Sequence, residues 1–255
     1  MKVDDFFQSE GLSMSKVKDI IKHLYFGEYD NPNEDIRKEW VIYQLNKLED
    51  GATILDAGAG ECQYKKYCSP RLKYVSQDFC QYEGSKNFQY GLLDDTWDTS
   101  QIDIISDITD IAVADESFDA VLCTEVLEHV PHPEIAIKEL SRVLKSGGKL
   151  ILTAPFCSLT HFAPYHYCTG FNIFWYEKIL EENGLLIIDS VRSGNYYLYM
   201  AQEVDRMMHF PEMQKNIKMI FSCRLLRSLL KKHANMQNDR GDILCFEYMI
   251  LAQKK

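Results

Sequence analysis

The stretch Ile54-Leu55-Asp56-Ala57-Gly58-Ala59-Gly60-Glu61 decides how the rest of the chain is read. Thr53-Ile54-Leu55 has strand character, two glycines follow at once, and a helical candidate comes next. Gly58 and Gly60 permit tight turning and close approach of backbone to a ligand. Open α/β sheets seat their ligands at the carboxyl ends of parallel strands, where this loop would lie. A lone Gly-x-Gly is weak evidence, but Asp78 follows eighteen residues beyond Gly60, at a spacing that lets an acid accept both hydroxyls of a ribose. Asp56 is read either as an organiser of the loop backbone or as a charge partner.

Working outward, short β-like runs alternate with helical stretches. Lys73-Tyr74-Val75-Ser76, 102–106, Phe118-Asp119-Ala120-Val121-Leu122-Cys123, 149–154 and Leu185-Leu186-Ile187-Ile188 read as further strands, and 243–251 as a last one. Between the fourth and fifth runs lies a helix opened by Pro133-Glu134 and ended by Lys145 with Gly147-Gly148. Another helix is expected over 169–183, stopped by Asn183-Gly184. The pattern indicates a mostly parallel sheet with helices on both faces. Residues 196–236 read as a mostly helical stretch rich in Met and aromatics and divided by Pro211. Residues 1–30 read as short helices, with Ser13 or Ser15 as a cap and Tyr25, Phe26 and Tyr29 at a bend. A helix over 34–48 follows. The organisation expected is a leading helical segment 1–50, either core packing or a lid, and a core 51–255 carrying a helical insert at 196–238.

Composition narrows the class. The 255 residues suffice for one sizeable core, and 46% hydrophobic with 26% charged residues is the balance of a folded soluble protein. The net charge of −10 and the lack of a Lys/Arg cluster in the first half argue against nucleic acid as partner. No secretory h-region and no run of membrane-spanning length appear, so a cytoplasmic location without membrane insertion is expected. Eight scattered cysteines without a CxxC pair read as reduced thiols.

The third glycine of a dinucleotide fingerprint would fall at 63, where this chain has Gln63, with Glu61 close by. A pyrophosphate wants an uncluttered helix N-terminus; a cationic sulfonium with an amino-acid tail tolerates Asp56 and Glu61 better. The set 54–61, Asp78, Ser106-Asp107-Ile108, 117–133, 137–156 and 166–172 resembles the class I S-adenosylmethionine-dependent methyltransferases, in particular the small-molecule group with the ubiquinone-pathway-like pattern. The resemblance covers 50–190 and leaves the first 50 residues and 196–238 unmatched. It implies a doubly wound, Rossmann-like α/β fold: a seven-stranded sheet of order 3-2-1-4-5-7-6, strand 7 antiparallel, with N-terminal helices and a helical insert between strands 6 and 7. It implies S-adenosyl-L-methionine as cofactor and S-adenosyl-L-homocysteine as product. Gly58 and Gly60 would line the methionine part, with Asp56 in the same loop. Asp78 would hold the ribose, and Phe79 would flank the adenine. Asp107 would bond the adenine amino group, Ile108 would pack on the ring, and Cys123 and Thr124 would lie near the methyl. Leu144-Lys145-Ser146-Gly147-Gly148 departs from the family's usual LKPGG at one position.

Methyl transfer is an in-line displacement in which the protein chiefly aligns the nucleophile and excludes water. A hydroxyl acceptor must lose its proton, work that suits histidine. Thr160-His161-Phe162-Ala163-Pro164-Tyr165-His166-Tyr167 concentrates two histidines and three aromatics after the fifth strand. His161 and His166 are therefore the candidate catalytic residues, as base or as hydrogen-bonder to substrate. No third ligand of convincing spacing accompanies them, so no metal is expected. Glu128-His129 matches a pair frequent in the family, and His129 is read either as site-facing or as structural. No NPPY-type stretch follows the fourth strand, which argues against a DNA base as acceptor. The reading is O-methylation of a small molecule such as a sugar or another biosynthetic intermediate. N-methylation of an amine, modification of protein or RNA, a nicotinamide-dependent oxidoreductase and a non-enzymatic cofactor binder are the alternatives. The insert is the candidate face for a homodimer.

Overall fold

The computed structural model describes residues 32–84, 91–92, 96–234 and 240–255, and the leading helices, the bend at Tyr25–Tyr29 and the lid reading lie outside them. The chain divides into two compact units, one of Asn33–Gly194 with Gly241–Lys255 and one of Met1–Pro32 with Asn195–Arg240.

The larger unit carries the sheet. Its elements run α1 (Pro32–Asn46), β1 (Thr53–Ala57), α2 (Lys65–Cys68), β2 (Lys73–Asp78), β3 (Ile104–Ile105) and β4 (Phe118–Thr124). A 3-10 turn (Leu127–His129), α3 (Pro133–Val143), β5 (Leu144–Pro155), α4 (Ile173–Glu182), β6 (Leu185–Ser193) and β7 (Glu247–Lys254) complete it. The strand order is 3-2-1-4-5-7-6, with β7 antiparallel to both β5 and β6 and the remaining pairs parallel. This is the doubly wound, Rossmann-like order expected above.

Period-two alternation places successive strand residues on opposite faces. Leu55 and Ala57, Val121 and Cys123, and Leu150 and Leu152 bury one face, under Ala136, Ile137, Leu140 and Val143 of α3 and Tyr176 and Leu180 of α4. Ile54, Ala120, Leu122 and Ile151 bury the other, with Val41 and Leu45 of α1 and Cys68 of α2. The central strands are thus apolar on both sides, as a parallel sheet between two helical layers requires. Arg142 fastens α3 to the preceding loop: it donates to the carbonyls of Ile111 and Val113, while Glu139 accepts from the Ile111 amide at 2.7 Å.

The differences from the sequence-based boundaries have local causes. The helix after the glycine loop is a single turn, because the residue before Pro70 is held extended (Ser69, ψ 140). The third strand shrinks to two residues because side chains take over its ladder: Asp103 Oδ2 accepts from the Ser76 amide at 2.9 Å, and Ser76 Oγ accepts from the Asp103 amide at 3.0 Å. Gly147-Gly148 does not close α3, which ends at Val143. It forms a bulge inside β5, where the register against β4 shifts between Phe118 and Ala120. The fourth helix starts late, at an Asn172 cap that accepts from the Trp175 amide at 3.1 Å. β6 runs on past its apolar stretch to Ser193, and β7 extends over 247–254, because pairing between them continues where hydrophobic patterning stops.

In the smaller unit the insert forms α5 (Tyr196–Met208), α6 (Pro211–Gln214) and α7 (Ile217–His233). Asn195 and Asn216 cap α5 and α7, each accepting from the amide three residues on. Val204, Met208, Ile220 and Cys223 form its small core, and Arg227 pairs with Asp205 at 3.0 Å. Ile217, Phe221, Leu225 and Leu229 recur at helical spacing on α7 and are exposed.

One partly buried ion group ties α1 to the sheet. Arg37 meets Glu125 at 2.9 Å, just after β4, and Glu247 at 3.3 Å, at the start of β7. Removing the cation leaves the buried Glu247 carboxylate uncompensated, which costs about 3–5 kcal/mol. Arg37→Met is expected to lower the unfolding free energy by that order in chemical denaturation, and Glu247→Gln added to it restores part of the loss. An unchanged denaturation midpoint in Arg37→Met would show the group to be structurally idle.

Candidate active site

The glycine loop is suspended from the end of β2. Gly58 and Ala59 donate to the Gln77 carbonyl, both at 2.9 Å, and Gly58 donates also to Gln77 Oε1 at 3.3 Å. Asp78 Oδ2 accepts from the Gly60 amide at 3.0 Å, and its Oδ1 from the Cys80 amide at 2.9 Å. Gln77 Nε2 reaches across to the Ser106 carbonyl at 2.6 Å and so links the loop to the residues after β3. Gly58 has φ +74, and a Cβ there would lie 2.4 Å from the Val126 side chain; Gly60 has φ +52 and faces the Trp97 ring. Both glycines are demanded by conformation and by close neighbours. This cradle of turned backbone, edged by carboxylates, suits a cationic, adenosine-bearing cofactor better than a pyrophosphate.

The remaining cofactor candidates take distinct positions. Asp56 is buried, and its Oδ2 accepts from the Tyr74 hydroxyl at 2.6 Å. Burial pushes its pKa up to about 7; the Tyr74 hydrogen bond opposes this and neighbouring Asp78 adds to it. Phe79 makes an edge contact with Tyr165, centroids 5.2 Å apart. Asp107 is exposed and accepts from the amide and hydroxyl of Thr109 at 2.8 and 2.7 Å. Ile108 is buried in the α3-side core. Cys123 is fully buried in that core too, and burial raises its thiol pKa well above the ordinary value. Thr124, at the end of β4, pairs with Thr153 of β5.

The loops after β4 and β5 are stapled together beside this cradle. The Glu128 carbonyl accepts from the amides of Tyr167 and Cys168 at 2.9 and 3.1 Å, and His129 Nδ1 meets the Tyr165 carbonyl at 2.6 Å. This brings His129, His161 and His166 together: ring centroids are 4.8 Å apart for His129–His161 and 4.9 Å for His161–His166. Phe162 stacks on Tyr82 at 3.7 Å and lies 4.4 Å from Trp97, the ring that faces Gly60. An aromatic patch therefore runs from the glycine loop to the histidines.

Two of the three histidines are shifted toward the neutral form. Burial, then His161, depress His129 to about 3. Burial and His161 also lower His166. Ser158 Oγ donates to the Thr169 carbonyl at 3.2 Å and lies 3.1 Å from His166 Nε2. The hydroxyl thereby anchors the His166 ring beside the Thr169 carbonyl.

Sequence reasoning brought forward His161 and His166 but gave no weight to Gln77, Trp97, Val126, Arg37, Glu125 or Glu247. The available signal for Gln77 was its place directly before Asp78; Glu125 carries none beyond adjacency to β4, although its φ of 55 marks a constrained turn. His129, left open between site and structure, lies in the histidine cluster.

Residues 55–152 match the family model described as "Methyltransferase domain". A ubiquinone biosynthesis O-methyltransferase of Xanthomonas oryzae pv. oryzae is 60% identical over 37 residues, which is 14% of this chain and 16% of that protein. The chain thus spans about one sixth of the length of the first curated relatives it matches. Among solved structures, phosphoethanolamine N-methyltransferase 2 of Haemonchus contortus, in complex with S-adenosyl-L-methionine, superposes with a TM-score of 0.51 at 16% identity, over 92% of this chain and 56% of that one. The YcgJ protein of Bacillus subtilis gives 0.52 at 12%, over 87% and 99%. The [4+2]-cyclase SpnF gives 0.53 at 17%, over 86% and 80%. These likenesses establish a shared fold, which by itself does not fix a reaction. None of the eight cysteines is in a disulfide, and among the described residues no helix is long and apolar enough to cross a membrane.

The electrostatics of Asp56 yield a pH dependence. Its folded pKa of about 7 lies above the ordinary 3.8, so its contribution to stability is full below pH 3.8 and is lost as pH rises through 7. Thermal melts of the unliganded protein are expected to show a gain on going from pH 7.5 to about 5.5, at up to about 1.4 kcal/mol per pH unit below the folded pKa. Asp56→Asn is expected to flatten that gain. An equal gain in the variant would assign it to other groups.

Proposed function

We propose that this chain is an S-adenosylmethionine-dependent methyltransferase whose acceptor is a hydroxyl of a small molecule. The carrying observation is the meeting of two features at one sheet end: the glycine cradle held by Gln77 and Asp78, and the histidine cluster stapled beside it. The match of 55–152 to a methyltransferase domain supports the donor. The short, strong likeness to ubiquinone biosynthesis O-methyltransferases supports oxygen as acceptor atom.

In this reading the bound cofactor supplies an electrophilic methyl on a sulfonium, the S–CH3 bond breaking as the O–CH3 bond forms. The chain's own residues do the rest. Gly58, Gly60 and Asp56 shape the wall for the amino-acid tail, Asp78 offers its carboxylate to the ribose, and Phe79 flanks the adenine with Asp107 and Ile108 beyond it. Thr124 would border the cofactor's methyl at the end of β4, with Cys123 buried behind it supporting the strand end. Phe162, Tyr82 and Trp97 give the acceptor an apolar wall and exclude water. His166, its pKa held below the ordinary imidazole value, takes the hydroxyl proton during attack, and His161 beside it orients the acceptor.

Two measurements test the assignment. Asp78→Ala is expected to weaken cofactor binding by about 1–3 kcal/mol in calorimetry, through lost ribose hydrogen bonds and a loosened Gly60; undiminished affinity would remove Asp78 from the site. His166→Ala is expected to cut turnover on a hydroxyl acceptor by about 10²–10⁴-fold with cofactor affinity intact. Wild-type turnover across pH in that variant would end its role as base, and transfer to amines alone across an acceptor panel would overturn the hydroxyl reading.

A further inference from the structure

We propose that Glu128, His129 and His161 form a binding site for one divalent transition-metal ion of the Zn²⁺ class. One ligand atom from each of the three lies within 4.8 Å of the others. His129 Nε2 and Glu128 Oε1 are 3.6 Å apart. That is too long for a hydrogen bond, yet close to the roughly 3.4 Å that separates two ligands on one tetrahedral ion with bonds near 2.1 Å.

The tautomers are fixed from outside, as metal-bound imidazoles require. His129 Nδ1 faces the Tyr165 carbonyl at 2.6 Å, and His161 Nδ1 faces the Leu159 carbonyl at 2.8 Å. A carbonyl can only accept, so both Nδ1 atoms carry the proton and both Nε2 atoms present lone pairs. The third group completes the pattern. Glu128 is 1% exposed, and its Oε2 is buried without a hydrogen-bond partner. Glu128 Oε1 thus lies beside the His129 lone pair while Oε2 of the same buried carboxyl lacks a donor. Such a group is costly to bury, and a cation satisfies all three members at once.

Two nitrogens and one oxygen favour Zn²⁺, Co²⁺ or Fe²⁺ over Mg²⁺, which prefers an all-oxygen octahedron with several waters. Three protein ligands leave a position open, the arrangement of reactive rather than purely structural sites. His166 stays outside the ligand set, with its ring 6.1 Å from that of His129, and remains available to a proton. The ion's seat does not depend on the proposed methyl transfer. Only its use does: on that reading an acceptor oxygen would occupy the open position.

The test uses the full chain, stripped with a chelator and dialysed. Isothermal titration with ZnCl₂ is expected to show one equivalent bound per chain, and Co²⁺ loading is expected to give the visible absorption of a low-coordinate nitrogen–oxygen site. His129→Ala and His161→Ala are each expected to weaken binding by about tenfold or more. Glu128→Gln, which keeps side-chain shape, is expected to do the same with an unchanged melting temperature of the metal-free protein. His132→Ala, in an exposed pair with Glu134, is the control and should bind as the wild type does. Absence of a stoichiometric site in the wild type, or unchanged affinity in Glu128→Gln and His161→Ala, overturns the proposal. These readouts are independent of turnover, so a failed activity assay and a failed metal site remain distinguishable.

Discussion

The site depends on the way two consecutive residues of β2 receive the amides of the glycine loop. Gln77 takes Gly58 and Ala59 through its carbonyl, and Asp78 takes Gly60 through its carboxylate. Backbone amides at such a turn have no strand partner, and leaving them unpaired in a buried place is expensive. Satisfying them from the next strand fixes the loop against the sheet rather than in solvent. The glycines are then needed twice over: for positive φ and because Val126 and Trp97 occupy the space a side chain would need. A mobile loop becomes a preformed cradle before any ligand arrives, which reduces the ordering cost of binding.

That constraint explains which parts of the molecule were legible in the sequence. The cradle, the alternating strands and α3 are local patterns: a strand, two glycines, an acid eighteen residues on, and a helical stripe from Ala136 to Val143. Strand order followed from resemblance, and the pairing agrees with it. Boundaries failed where side chains replaced backbone partners. Ser76 and Asp103 shortened the third strand, and the Gly147-Gly148 bulge belongs to β5 although glycines after a helical stripe look like a stop.

The Arg37–Glu125–Glu247 group was not legible at all. Its members come from α1, the turn after β4 and the start of β7, and Arg37 and Glu247 are separated by 210 residues. Each looks like an ordinary surface charge in its own window, because patterning reports burial only when neighbours in sequence share it. Only the folded sheet shows that Glu247 is fully buried. The histidines illustrate the same limit in milder form. His161 and His166 stood out because they are close in sequence and flanked by aromatics. His129 gained its meaning only from the Glu128 carbonyl, which fastens the loop after β5 to the turn after β4.

The two halves of the site are therefore built by different means. The cradle is held by backbone bonds between adjacent parallel strands, a device that tolerates little change in sequence or geometry. The histidine side is held by a loop-to-loop staple at Glu128 and by stacked rings, Phe162 on Tyr82 and Phe79 against Tyr165. Rings and loop lengths can be exchanged without disturbing the sheet, whereas the Gln77–Asp78 support cannot. On physical grounds the cradle should stay fixed while the histidine side varies. This is why Asp56–Gly60 points to a cofactor class from its local sequence, while the chemistry of the other half rests on His129, His161 and His166, which only the folded loops bring together.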